Sequence, residues 1–183
     1  PDIVGGDYRQ MMNAMKPIQE MIVSAREAGV KIIFTKGYED MDFRSGPDLF
    51  RAIGWGELEG AIGINSESGK WGSELYEGIE PQEDDIIIEK HKWTVFSGRE
   101  ARHGERYDPN DTSRRTFREV LDQEGIRTLV TTGVIAETCI ETTIRDAYGE
   151  GFFVVVPQNS VGSNNQDQLE ARMNYWKKGF VAN

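Results

Sequence analysis

The sequence predicts an α/β fold in which helices cover both faces of a central parallel sheet, three layers in all. Two observations carry the prediction. Short β-branched runs alternate with stretches whose apolar residues recur at helical spacing. A helix–glycine–strand junction also repeats, at Ala28-Gly29-Val30, Glu124-Gly125-Ile126 and Glu150-Gly151-Phe152. That rhythm is the signature of right-handed βαβ units, which place strands in parallel and helices on the two faces of the sheet.

Taken in order, Met15 to Ala28 carries Met15, Ile18, Met21, Ile22 and Ala25 on one face and predicts a helix stopped by Gly29. Val30 to Thr35 predicts the strand that follows, and Asp85 to Glu89 the next. Thr116 to Gln123, with Phe117, Val120 and Leu121 as its stripe, predicts a second helix ended by Gly125. Thr128 to Gly133 reads as a third strand, Glu137 to Glu150 as a third helix and Phe152 to Pro157 as a fourth strand. Two regions break the rhythm: Gly37 to Trp71, rich in glycine and acid, and Gly98 to Ser113, polar and loop-like, with Arg99, Arg102, His103, Arg106 and Arg114 nearby. Loops of this length in a compact domain form lids, binding surfaces or subunit contacts. Both follow strands, which puts them at the carboxyl edge of the sheet, where open α/β folds bind ligands.

The chain has 183 residues, a formal net charge of -10 and a single cysteine. Residues 1–183 suit one domain with a real core. Acidic residues are spread along the chain, which argues against nucleic acid or an anionic membrane as partner. No apolar run approaches the roughly 20 residues that span a bilayer. One cysteine cannot form an intrachain disulfide, so a reduced, cytoplasmic setting is expected.

Cys139 lies just after the strand ending at Gly133, where a helix begins. A thiol at a helix start meets the positive end of the helix dipole and backbone N–H donors, which favour thiolate and can hold an oxyanion. A cysteine nucleophile also needs a base or a cation. His91 and His103 are the only histidines, and neither has an obvious Asn or Asp to orient it. Lys90 ends the strand Ile86-Ile87-Ile88-Glu89-Lys90 on the same predicted sheet edge and would stabilise developing negative charge. Lys92, two residues on, points the same way if the strand continues, and residue mechanics leave the two lysines undecided.

The segment Gly133-Val134-Ile135-Ala136-Glu137-Thr138-Cys139-Ile140-Glu141-Thr142-Thr143-Ile144-Arg145-Asp146-Ala147 resembles the nucleophile motif of the isochorismatase-like cysteine hydrolases. Gly151 to Pro157 and Asn159 to Ser163 continue the likeness, and Asp85 to Gly98 resembles the family's lysine strand, in a register that selects Lys90. The likeness extends over nearly the whole chain except an insertion around Arg99 to Ser113. It implies a three-layer isochorismatase-like fold and an Asp–Lys–Cys triad in which the cysteine attacks a carbonyl. It further implies an oxyanion hole from the backbone N–H groups of Ile135 and Cys139, and a cis peptide between Val134 and Ile135.

The family's aspartate ends a first strand that is not recognisable here. Asp2 and Asp7 are the only acids ahead of the first helix, and neither follows an apolar run, so the expectation is that the native strand precedes this sequence, the alternative being that the aspartate role is lost or moved. Family members of the nicotinamidase type bind a metal through an Asp and two histidines. The matching Lys36 to Phe43 has no histidine, and Glu39, Asp40 and Asp42 read as a solvated acidic loop, so no metal and no cofactor are expected. Trp71, Trp93 and Phe96 are candidate flat walls for a small substrate, with core packing as their alternative role. Arg145 is expected to be a structural helix residue that pairs with an acid, not a substrate clamp.

Lys70 to Leu75 and Pro81 to Ile86 most resemble the ureidoacrylate, biuret and N-carbamoyl amidase branch. The implied activity is hydrolysis of a C–N bond in a small amide, ureido or carbamoyl compound through a thioester, in a homo-oligomer. A vinyl-ether hydrolase of the isochorismate type and a catalytically silent binding relative are the alternatives.

Overall fold

The computed structural model describes residues 11–38, 69, 71–102, 105–163 and 165–178. It divides into two compact units, one built on Ile33–Phe117 and the other on residues up to Ile32 together with those from Arg118 onward.

In the first unit, β1 (Ile33–Gly37) runs parallel to β2 (Ile86–Lys90), and β3 (Arg99–Glu100) lies antiparallel on the other side of β2. The sheet order is β1-β2-β3. Ile86 and Ile88 of β2 are buried, as a β-branched run between two partner strands should be. A short 3₁₀ turn, Val95–Ser97, is capped by the Thr94 hydroxyl accepting from Phe96 N–H at 3.1 Å and turns the chain back toward β3. Gly98 makes that return possible. A methyl group there would lie 2.6 Å from Ile88 Cγ2 and 2.8 Å from the Glu89 carbonyl, so only glycine lets the two chain segments pass. The Phe96 ring then packs edge-on against Phe117, centroids 5.0 Å apart.

The second unit holds two parallel strand pairs: β4 (Thr128–Val130) with β6 (Phe153–Val155), and β5 (Gly133–Val134) with β7 (Val161–Gly162). Its helices are α1 (Met15–Glu27), most of α2 (Phe117–Gln123), α3 (Glu141–Gly149) and α4 (Gln166–Trp176). Val120, Leu121, Ile144, Ala147 and Val154 are buried and supply its core.

The predicted α/β class with parallel strands is what the chain forms, and all three predicted helix stops hold. Gly29, Gly125 and Gly151 have φ of 69°, 67° and 84°, and each is followed by an N–H that bonds back five residues, as at Val30 to the Ala25 carbonyl, 2.8 Å. Those same bonds correct the strand starts. Val30 and Phe152 are spent closing helices, so β1 begins at Ile33 and β6 at Phe153. The single strand predicted from Thr128 to Gly133 is two, because Gly133 turns at φ 115° and hands its N–H to the Ser160 carbonyl. Helix α4 was not foreseen. It has a weak stripe, only Met173 and Trp176 being buried, but Asn165 caps it by accepting from Gln168 N–H at 3.1 Å.

Candidate active site

Cys139 sits in the second unit on a π-helical turn, Ala136–Ile140, that precedes α3. The predicted helix from Glu137 therefore opens with a wider turn than an α-helix. The Ile135 carbonyl accepts from Thr138 N–H and Ile140 N–H, both at 3.2 Å, so the chain wraps around that one oxygen before α3 begins. The peptide between Val134 and Ile135 is cis, and Ile135 itself is extended. Cys139 is half-buried and in no disulfide.

Side chains secure the turn from two directions. The Ser163 hydroxyl, itself buried, donates to Glu137 Oε1 at 2.9 Å and accepts from Asn165 N–H at 3.0 Å, which ties the turn to the start of α4. Glu141 is buried and holds Arg145 at 2.7 Å and Arg172 at 3.0 Å. Arg145 is thus the helix-pairing residue expected, with its guanidinium also over the Tyr175 ring at 5.4 Å. Two surface cavities of this unit, about 460 and 550 Å³, run along α1, the 157–161 segment and α4. Cys139 lines neither.

Lys90 is the last residue of β2 in the first unit, and only 6% exposed. Its ammonium donates to the Lys92 carbonyl at 2.8 Å, and a methyl at Gly37, its register partner on β1, would lie 3.7 Å from Nζ. The strand ends at Lys90, so the condition under which Lys92 would share its direction is not met; Lys92 is exposed and offers its carbonyl to Lys90.

The adjacent Glu89 is also buried, accepting from the Tyr38 hydroxyl and from Arg114 Nη1 at 3.4 Å. This pair, together with Tyr107, was missed by sequence reasoning, which took the 98–113 stretch for a polar loop. Tyr107 is 2% exposed, lies 5.6 Å from the Tyr38 ring and 6.1 Å from His91, and its hydroxyl has no hydrogen-bond partner among the described residues. Burial pushes its pKa up to about 12, with Glu89 and Asp108 adding to the rise and Arg99 and Arg114 opposing it.

Of the proposed substrate walls, Trp71 is 91% exposed and Trp93 51% exposed, while Phe96 packs on Phe117. Asp2, Asp7, Glu39, Asp40, Asp42 and His103 lie outside the described residues. Among the described residues no group of three or more His, Cys, Asp or Glu is placed to hold a metal ion, and no helix is long and apolar enough to cross a membrane.

The fold and the cysteine turn define an α/β protein of a known class: the isochorismatase domain model matches residues 4–182, and the chain belongs to that family. Among its relatives, a ureidoacrylate amidohydrolase RutB of Acinetobacter baylyi is 25% identical over 165 residues, 84% of this chain and 60% of that protein. The chain therefore spans less than two thirds of that relative's length. Among solved structures, a cysteine hydrolase from Pseudomonas syringae superposes with a TM-score of 0.71 at 17% identity, covering 94% of this chain and 76% of that one. N-carbamoylsarcosine amidase from Thermoplasma acidophilum gives 0.67 at 19% identity, covering 93% and 80%. The fold is isochorismatase-like.

Proposed function

We propose that this chain is a cysteine-dependent hydrolase cleaving the C–N bond of a small ureido, carbamoyl or carboxamide compound. The observation that carries the reading is the setting of Cys139: a half-buried thiol on a π-helical turn after a strand, within the span matched by the isochorismatase domain. The similarity to ureidoacrylate amidohydrolases supports the substrate class.

In this reading Cys139 Sγ adds to the substrate carbonyl, and the backbone N–H groups of Ile135 and Cys139 hold the resulting oxyanion. The C–N bond then breaks and the amine leaves with a proton, giving a thioester (a thiocarbamate where the acyl group is carbamoyl). Water cleaves the S–C bond and returns the thiol. Lys90 supplies positive charge to the thiolate and to the developing negative charge. Trp71, Trp93 and Phe96 form the walls for a flat substrate. A carboxylate must carry the protons. Residues 1–183 act as one domain, without metal or cofactor, in a cytoplasmic homo-oligomer.

The test is ammonia release from ureidoacrylate and N-carbamoylsarcosine by the wild type and by Cys139→Ala. Turnover by the wild type, lost by at least a thousandfold in the variant, is expected. Full turnover by Cys139→Ala would sink the cysteine mechanism; a folded wild type that releases no ammonia but cleaves a vinyl ether would favour the isochorismate-type reading, and one inert to both would favour a binding role.

A further inference from the structure

Glu89 and Lys90 leave β2 in opposite directions, as consecutive strand residues must. Lys90 turns toward Gly37 and the Lys92 carbonyl; Glu89 turns toward Tyr38 and Arg114. The Arg114 side chain is 2% exposed and is the hub of the segment between β3 and α2. Its Nε donates to Asp111 at 3.0 Å, and its Nη2 donates to Glu105 at 3.1 Å and to the Arg106 carbonyl at 3.0 Å. The segment closes on itself through other arginines. Arg99 donates to the Pro109 and Arg114 carbonyls at 3.2 and 3.0 Å, and Arg102 donates to the Ser113 carbonyl and hydroxyl, both at 2.9 Å. Its backbone is stitched to the sheet by Ala101 N–H to the Ile87 carbonyl and Glu100 N–H to the Arg115 carbonyl, each 2.8 Å. Tyr107, carried by the same segment, packs on Tyr38.

A buried ion pair adds little net stability, because desolvating both charges offsets their attraction; what a fully bonded network does supply is a fixed geometry. Here the geometry fixed is that of the residue beside Lys90. We propose that the segment 99–114 is a brace for the lysine end of β2, with Arg114 a positioning residue that acts on Lys90 through Glu89. This rests on the hydrolase reading above. A displacement of about 1 Å at a catalytic group costs up to about a hundredfold in rate, so a brace behind the lysine has a kinetic use that surface loops lack.

The test uses the full chain with ureidoacrylate as probe and rates normalised to the folded fraction measured by circular dichroism, so that unfolded protein is not counted. Arg114→Lys, which loses the fork reaching four acceptors, should lower kcat about tenfold and leave KM within about twofold. In a Lys90→Ala background the same change should add nothing, because a residue acting through Lys90 has no effect once Lys90 is gone. Tyr38→Phe removes one bond to Glu89 and keeps the ring, and should give a smaller kcat loss of about threefold in the same non-additive way; it carries the test if Arg114→Lys does not fold. Acetylation of Lys90, followed by mass spectrometry, gives a readout independent of turnover, and both variants should speed it selectively relative to Lys177. Wild-type kcat and labelling in both variants, or losses that add to that of Lys90→Ala, would overturn the brace. An active Lys90→Ala enzyme would instead overturn the catalytic reading of Lys90 and, with it, the role of Arg114. If the wild type does not hydrolyse the probe, the hydrolase reading fails and the labelling alone decides the brace.

Discussion

The Cys139 turn and the lysine end of β2 are built by opposite means. Around Cys139 the backbone does the shaping: an extended Ile135, a π-helical turn closing on one carbonyl, and a serine and a glutamate securing the margins. At the lysine end of β2 the strand is ordinary, and Glu89, beside Lys90, is held by side chains from elsewhere in the chain, Tyr38 and Arg114. A backbone-built feature depends on few side chains and concentrates its chemistry in one of them. A side-chain-built feature spreads its vulnerability over every member of the network.

That contrast sets the expected effects. The largest is on rate: Lys90→Ala should lower kcat by about 10²–10³-fold, the range typical of losing one preorganised electrostatic contact, with the folded state intact by circular dichroism. Unchanged kcat would remove Lys90 from the chemistry. Next is stability. Arg114→Met leaves the Glu89 carboxylate buried with the Tyr38 hydroxyl as its remaining partner of the two described, and should cost about 3–5 kcal/mol in urea unfolding. Gly98→Ala forces a methyl to within 2.6 Å of Ile88 Cγ2 and should cost about 1–3 kcal/mol by the same assay. A neutral result would mean that the β2–β3 return can open.

The smallest effect is at Tyr107. Tyr107→Phe deletes a buried hydroxyl that has no hydrogen-bond partner among the described residues, so Tm at pH 7 should hold or rise slightly. The same variant has a pH signature. With the folded pKa raised from 10.0 to about 12, the unfolded chain releases the phenolic proton first as pH rises. The stability linked to Tyr107 is therefore complete below about pH 10 and is lost as pH climbs toward 12. Tyr107→Phe should flatten that part of the Tm profile. An unchanged alkaline profile would show that the phenol is not desolvated.

The same two regions explain what could be read in the sequence. The three glycine stops and the β-branched runs are local signals, so α1 to α3 and the strands β1, β2, β4 and β6 were legible, while α4 and β7, which carry no such signal, were not. The strand starts were displaced because Val30 and Phe152, good strand residues by type, lend their N–H groups to the preceding helix ends. Lys90 could be separated from Lys92 only by family register, since the end of β2 is set by pairing with β1 and not by any residue near it. The Glu89–Arg114 pair joins residues 25 apart in sequence. An arginine-rich polar stretch looks the same whether it is solvated or wrapped around a buried carboxylate. One signal was available: Glu89 is an acid placed inside an apolar strand run, and a charge in such a run calls for a partner.

The central claim is that Cys139 becomes covalently attached to the substrate carbonyl carbon. The most direct measurement is mass spectrometry of the Cys139-bearing peptide after acid quench during turnover of ureidoacrylate labelled with carbon-13 at the ureido carbonyl. The account predicts that this peptide carries the labelled carbon as an S-linked adduct, lost again once substrate is exhausted, and that Cys139→Ala shows neither adduct nor ammonia. Sustained turnover with an unmodified Cys139 peptide, and undiminished activity in Cys139→Ala, would contradict it.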